Sequence, residues 1–176
     1  MCSSDLNIPI MLCPTDSGRD VPFSRSSEGD NWARGNYGVN GSIRQLATSN
    51  VGLNSSSWGR GWCRGVMGAN VACSIDDIVD GVSQTILLGE LRIGLSEKDR
   101  RGVWAMGAPA ASSLWGHASD DGIGPNNCAA ASDNVNGCSE IWSDVGSSRI
   151  TRECMGCCRS CQSSQGTARS RHPGGV

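Results

Sequence analysis

Apolar positions along this chain fall in short, separated runs, and few of them keep a period long enough to define an element. Residues 8–13, "IPIMLC", form an apolar run stopped by Pro14, which predicts a short buried strand. The stretch "TDSGRDVPFSRSSEGDNWARG" that follows is polar loop, "NYGVNGS" at 36–42 is turn-rich with at most a brief strand, and "RQLATSNVGLNSSSWGRGWCRG" has no clear period. The clearest local grammar is "SIDDIVDGVSQTILLGELR". Ser74 suits an N-cap, Asp76 and Asp77 occupy the first turn where the helix dipole favours negative charge, and Gly81 offers a stop, so a helix of about two turns is expected over Ile75–Asp80. Thr85–Glu90 is continuously apolar and β-rich, the pattern of a strand covered on both faces, and a second strand is expected at Gly102–Met106. From Gly107 to Arg169 the pattern reads largely as loop, with Trp115, Trp142 and several cysteines arguing for an ordered, irregular surface in place of disorder. No apolar run reaches the length needed to cross a bilayer.

Composition sharpens this picture. A chain of 176 residues has room for one sizeable core, yet it holds one phenylalanine, Phe23, and one tyrosine, Tyr37. Six tryptophans must therefore supply much of the aromatic packing, and their spacing gives no helical stripe. The formal net charge is −2, and Lys98 is the single lysine, so the cationic groups are almost all arginine. These are scattered apart from Arg100-Arg101 and Arg169-Ser170-Arg171, which leaves no basic face for a phosphate backbone and argues against nucleic acid as a partner. The arginines are expected at the surface, solvated or paired with carboxylates.

Ten cysteines in a loop-rich chain with thin core material point to cross-linking in an oxidising compartment. Cys63 and Cys73 are ten apart, as are Cys128 and Cys138, and each pair brackets chain with little capacity to order itself. Closing such a loop would stabilise the fold by about 3 kcal/mol in the chain-entropy model, and these two pairings are the expected ones, although spacing alone does not fix connectivity. Cys154, Cys157, Cys158 and Cys161 make two abutting Cys-x-x-Cys steps. Four thiolates could surround a zinc ion, but fused knuckles fold awkwardly around one tetrahedral centre, so disulfides to partners elsewhere are the preferred reading. Neither step opens an amphipathic helix that would activate a thiol.

Motifs for catalysis are weak. His117 lies near Asp120 and Asp121 among many serines, but no Gly-x-Ser-x-Gly turn is present to present a nucleophile, so a loop or surface role is expected for it. The phrase "GRGWCRGVMG" lacks the Gly-Lys-Ser/Thr ending of a phosphate cradle. No cofactor is expected.

The phrases "IPIMLCPTD", "NYGVNGS", "RGVMGAN", "SIDDIVDGVSQTILLGELRIG", "RRGVWAMG", "GPNNC" and "ARSRHPGGV" together resemble a family of exported bacterial proteins, abundant in planctomycetes, with a prepilin-type amino-terminal segment and a pseudopilin-like body of unknown function. The resemblance runs from residue 8 onward. It implies an α+β fold: a pseudopilin-like head of short antiparallel strands, long irregular loops and one or two short helices. It also implies a single domain over residues 7–176 that lacks the family's amino-terminal helix and final hairpin, leaving a sheet edge and an apolar face open. Residues 1–6, "MCSSDL", read as a translated sequencing adapter, and setting Cys2 aside leaves an odd number of cysteines. In the terminal phrase, His172, Gly174 and Gly175 are expected to be structural, with the His172 ring hydrogen-bonding backbone at a turn. Because some pseudopilins bind calcium in head loops, Asp120, Asp121 and Asp133 are the candidate ligands for such an ion, against Asx-turns as the simpler reading. The implied function is non-enzymatic and structural, at the cell surface or outside the cell. Other pseudopilin-like subunits would be the partners, met through the missing helix, which would also make the only membrane contact. A secreted module binding a glycan, small solute or cation is the alternative.

Overall fold

The computed structural model describes residues 4–18, 20–44, 46, 64–68, 73–116, 124–161 and 165–172. Its central strand is β3 (Tyr37–Ser42), built from the segment whose glycines suggested turns. The glycines are there for close approach: a Cβ on Gly41 would lie 2.4 Å from the Trp115 ring, and one on Gly38 would lie 2.7 Å from the Leu91 side chain. Space for those two apolar groups outweighs the low strand preference of glycine. Two strands flank β3. Taking β1 (Phe23–Arg25) and β2 (Gly29–Trp32) as the first hairpin, β4 (Leu88–Glu90) pairs antiparallel with β3 and β5 (Ser113–Trp115) pairs parallel with it, in the order β4-β3-β5. The register sets Gly38 opposite Gly89 on one side and Val39 opposite Ser113 on the other.

The β1–β2 hairpin forms a separate two-stranded sheet, and its Phe23 is buried with Val103 and Ala111, flanked by Trp32 and Met106. Leu91, Leu114 and Ala168 form a second small cluster beside β4 and β5. The third cluster gathers around α1 (Cys138–Val145) and α2 (Ser147–Arg152), with Val135, Ile141 and Ile150 at its centre. On α1, Cys138, Ile141, Trp142 and Val145 stand at i, i+3, i+4 and i+7, so one helical face carries all of the apolar residues. The observed architecture is thus the expected mixed α+β fold with short strands, but with the apolar material of the described residues divided among three small clusters.

Several local expectations change. Residues 8–13 are not a strand: Pro9–Met11 is a single 3₁₀ turn with no buried residue, and only Cys13 of the run is buried. The predicted two-turn helix is also one 3₁₀ turn, Ile75–Asp77, whose Asp77 carboxylate accepts hydrogen bonds from the Ser74 N–H and hydroxyl, both at 2.8 Å. Strand β4 covers only Leu88–Glu90, and its apolar neighbours Ile86 and Leu87 are exposed, so the run is not sandwiched. Gly102–Met106 forms no strand, only a bridge from Val103 to Arg34. The stretch read as loop after Gly107 holds β5, α1 and α2. The largest departure concerns charge: Arg34, Arg101 and Arg169 are among the largest fully buried side chains in the molecule.

Three disulfides are present among the described residues: Cys128–Cys154, Cys138–Cys157 and Cys158–Cys161. Cys128 and Cys138 therefore do not pair with each other, because each instead reaches the segment that follows α2. Cys73 is a free, exposed thiol, and Cys63 lies outside the described residues, as do Gly174 and Gly175. The Cys154–Cys161 cluster is consumed by these bridges, which leaves no four-thiolate zinc site. Non-reducing peptide mapping should recover the three pairs. Replacing Cys138 and Cys157 by alanine opens a loop with a sequence separation of 19 and should lower unfolding free energy by about 3 kcal/mol, read by denaturant titration.

Candidate functional site

Asn36, completely buried at the start of β3, fixes the loop on which the site is built. Its Oδ1 accepts the Cys13 N–H at 2.8 Å, while its Nδ2 donates to Asp16 Oδ2 at 2.8 Å and to the Leu91 carbonyl at 3.0 Å. Asp16 Oδ2 also accepts the Ile93 N–H at 2.7 Å, so the 13–16 loop is tied to the residues just after β4. From the other end of the chain, the Arg169 N–H donates to the Glu90 carbonyl at 2.9 Å and brings residues 170–172 alongside the same place.

The result is a cluster of three chemically distinct groups from distant parts of the sequence. Cys13 Sγ lies 3.4 Å from His172 Nε2, and Glu90 Oε2 lies 3.3 Å from the same nitrogen. The three ligand atoms all fall within 4.8 Å of one another. Thr15 Oγ1 lies 3.0 Å from the sulfur. Cys13 is 1 % exposed and the His172 side chain 44 %, so the cluster is closed at the thiol and open at the imidazole. Among the described residues the His172 ring meets side chains, and the His172 N–H closes the local turn onto Ser170 Oγ at 3.0 Å.

This arrangement does not make a thiol nucleophile with a histidine relay. A relay uses one ring nitrogen for the nucleophile and the other for the carboxylate, whereas here both contacts fall on Nε2. The geometry suits a group that binds all three atoms at one centre.

Behind the cluster runs a buried chain of charges, Asp99–Arg101–Asp133–Arg169. Arg101 Nη2 lies 2.7 Å from Asp99 and its Nη1 lies 3.1 Å from Asp133, which Arg169 Nε also reaches at 3.1 Å. Asp133 Oδ1 in turn accepts the Thr167 N–H and hydroxyl, each at 3.2 Å. Asp133 is therefore fully engaged by two guanidinium groups, and a calcium ion there would have to displace both. The other calcium candidates, Asp120 and Asp121, and His117 with them, lie outside the described residues. Burial by itself would raise the carboxyl pKa values of Asp99 and Asp133, but the adjoining arginines outweigh it and hold both below the ordinary range. For Arg101, burial works against the charge and the two carboxylates overcome it, so its pKa is raised. Arg34 has no such pair: burial pushes it down to about 10, the Asp99 charge opposing this and the Arg101 charge adding to it. Its fork instead donates to the carbonyls of Val21, Ser96 and Arg101 at 2.9–3.0 Å.

A second surface feature stands beside β4. Ile75, Val79, Val82 and Ile86 are 75 %, 91 %, 60 % and 67 % exposed, and Leu87 and Leu88 continue the row. The described tryptophans share no groove: Trp115 is buried on β5, Trp142 donates to the Cys157 carbonyl, Trp104 donates to the Leu6 carbonyl, and Trp32 packs by Phe23. A hollow of about 460 Å³ is lined, among the described residues, by Asp5, Asp20, Asn31 and Arg34 with no cysteine or histidine.

Sequence reasoning singled out His172 only as a structural imidazole, and it missed Cys13 and Glu90. The one signal available for Cys13 was its isolation from the later cysteine clusters.

The chain belongs to the family described as a protein of unknown function, DUF1559, whose model matches residues 2–176. No curated protein and no solved structure matches it.

The buried charges make stability depend on pH in a definite direction. An unfolded chain takes up protons on Asp99 and Asp133 near the ordinary aspartate value of ~3.9, while the folded chain resists them to lower pH. In that window the unfolded state binds more protons, so the stability present above it is lost as pH falls. Thermal melting should be nearly flat from about pH 7 to 5 and drop steeply below about pH 4. Arg101→Ala, which takes the guanidinium partner from the buried Asp99 and one of the two from Asp133, should cost about 3–5 kcal/mol in denaturant unfolding at neutral pH.

Proposed function

We propose that this protein is a non-enzymatic structural subunit, the exported head of a pseudopilin-like assembly. Its membership of the family and the resemblance of its motifs to pseudopilin-like proteins support that reading, and the three disulfides fit an oxidising extracellular setting. No helix among the described residues is long and apolar enough to cross a membrane. The observation that carries the proposal is the exposed aliphatic row from Ile75 to Leu88. Aliphatic side chains this exposed, closely spaced in sequence and running into a strand with β3 as its one sheet neighbour among the described residues, form a surface that water disfavours and a neighbouring subunit would cover. The neighbour is another copy of this chain: the row and the β4 edge can meet their own equivalents across a two-fold axis, a self-complementary contact.

Sedimentation of the purified protein over a range of concentrations tests this. Self-association is expected, and the combined substitution Val82→Asp, Ile86→Asp and Leu88→Asp should abolish it while leaving the circular dichroism and disulfide pattern unchanged. A wild-type chain that stays monomeric at high concentration, or a triple variant that associates as well as wild type, overturns the proposal.

A further inference from the structure

We propose that Cys13, Glu90 and His172 form a binding site for a borderline divalent transition metal of the zinc class, with Sγ, Oε2 and Nε2 as ligands and a fourth position open to solvent. The inference concerns a single folded subunit and does not depend on the assembly role.

The first argument is geometric. Tetrahedral zinc with bonds of about 2.3 Å to sulfur and about 2.0–2.1 Å to nitrogen and oxygen requires separations of about 3.6 Å between sulfur and nitrogen and about 3.3 Å between nitrogen and oxygen. The observed separations are 3.4 Å and 3.3 Å. The second argument is one of valence. A single ring nitrogen offers one N–H or one lone pair, so it cannot hydrogen-bond well to both a sulfur and a carboxylate oxygen. One cation at the centre satisfies all three groups at once.

Ligand chemistry selects the ion. A thiolate with an imidazole disfavours calcium and magnesium, which take oxygen ligands, and favours zinc and its neighbours. Binding replaces the thiol proton, which leaves to solvent, and the Thr15 hydroxyl 3.0 Å from the sulfur is placed to donate a hydrogen bond to the resulting thiolate. The surroundings keep the ligands available. Arg92 is held by Glu153 at 3.1 Å and by Asp16 at 3.7 Å, and Arg171 is paired with Glu153, so the two nearest guanidinium groups in sequence are engaged by other carboxylates than Glu90. The backbone is held as well, through Asn36 at Cys13 and through Arg169 at Glu90, which makes the site largely preformed.

Cobalt(II) added to the chelator-treated, disulfide-intact protein is the test, because it reports ligand type without any activity. The expected result is one tightly bound ion per chain, a thiolate-to-cobalt charge-transfer band, tetrahedral ligand-field bands, and displacement by zinc but not by excess calcium. His172→Ala, at an exposed position, should weaken cobalt affinity about 100-fold with the fold intact, and Glu90→Gln about 10-fold or more. Cys73→Ser, which removes the exposed free thiol among the described residues, should leave binding and spectrum unchanged. Absence of the charge-transfer band, displacement by calcium, an unaltered spectrum in His172→Ala, or its loss in Cys73→Ser each overturns the proposal. Cys13→Ser serves as a further check, since it should remove the charge-transfer band even where weak binding through the other two ligands persists.

Discussion

Burying guanidinium groups among loops is the constraint on which this structure turns. A chain with short strands leaves many backbone carbonyls without a ladder partner, and a buried carbonyl without a donor is costly. Here arginine side chains supply the donors. Arg34 reaches Val21, Ser96 and Arg101, Arg101 reaches Met155 and Gly156, and Arg169 reaches Asn127 and Cys154. Each fork replaces part of a missing sheet, and a lysine could not do so, since its compact ammonium offers no planar set of donors. The positive charges this brings inside are then balanced by Asp99 and Asp133, whose own desolvation is repaid only because both are hydrogen-bonded. A hydrophobic core of equal volume would avoid the desolvation of these charges, but it would leave those carbonyls unsatisfied at a cost of its own.

The disulfides act on the same segments. Cys154 is bridged to Cys128 while its carbonyl accepts from Arg169, and Cys157 is bridged to Cys138 while its carbonyl accepts from Trp142. The two devices work on different states. A bridge restricts the unfolded chain whatever the geometry of the folded one, whereas the arginine forks discriminate among folded arrangements because they need several carbonyls at once. Together they let a segment with few apolar residues, 154–161, hold one conformation beside the helical cluster.

How much of this could be read from the sequence follows from the kind of interaction involved. Local rules worked where the cause was local: Ser74 and Asp77 do make the expected cap, although the helix behind it ends after one turn. The apolar face of α1 was present at Cys138, Ile141, Trp142 and Val145, but the glycines and serines around it read as loop, and only the tertiary contacts with Ile150 and Cys157 make the helix worth forming. Continuous apolarity at residues 85–90 suggested coverage, yet periodicity states which residues are apolar and not whether a partner lies over them. Arginine burial was invisible for a related reason, because nothing in the spacing of Arg34, Arg101 and Arg169 reveals the carbonyls they meet. The cluster of Cys13, Glu90 and His172 had no spacing signature at all: its outer members are 159 residues apart and meet only through Asn36 and the Arg169 backbone.

Strand β4 links the two surfaces for which a role is proposed. Successive residues of a strand face opposite sides, and a Cβ on Gly89 would lie 2.5 Å from Leu114, so Gly89 faces the interior cluster. Leu88 and Glu90 then share the other side, one strand repeat of about 7 Å apart. The last exposed leucine of the apolar row and the carboxylate of the thiol–imidazole cluster therefore belong to one face. A neighbouring subunit laid over Leu88 would come up against the open side of the cluster, where His172 is exposed. If both proposals hold, the fourth metal position and the assembly contact would compete for the same few ångströms of surface, or be filled by the same partner. Either way, occupancy of the one would alter the affinity of the other, and by thermodynamic reciprocity the coupling would run equally in both directions.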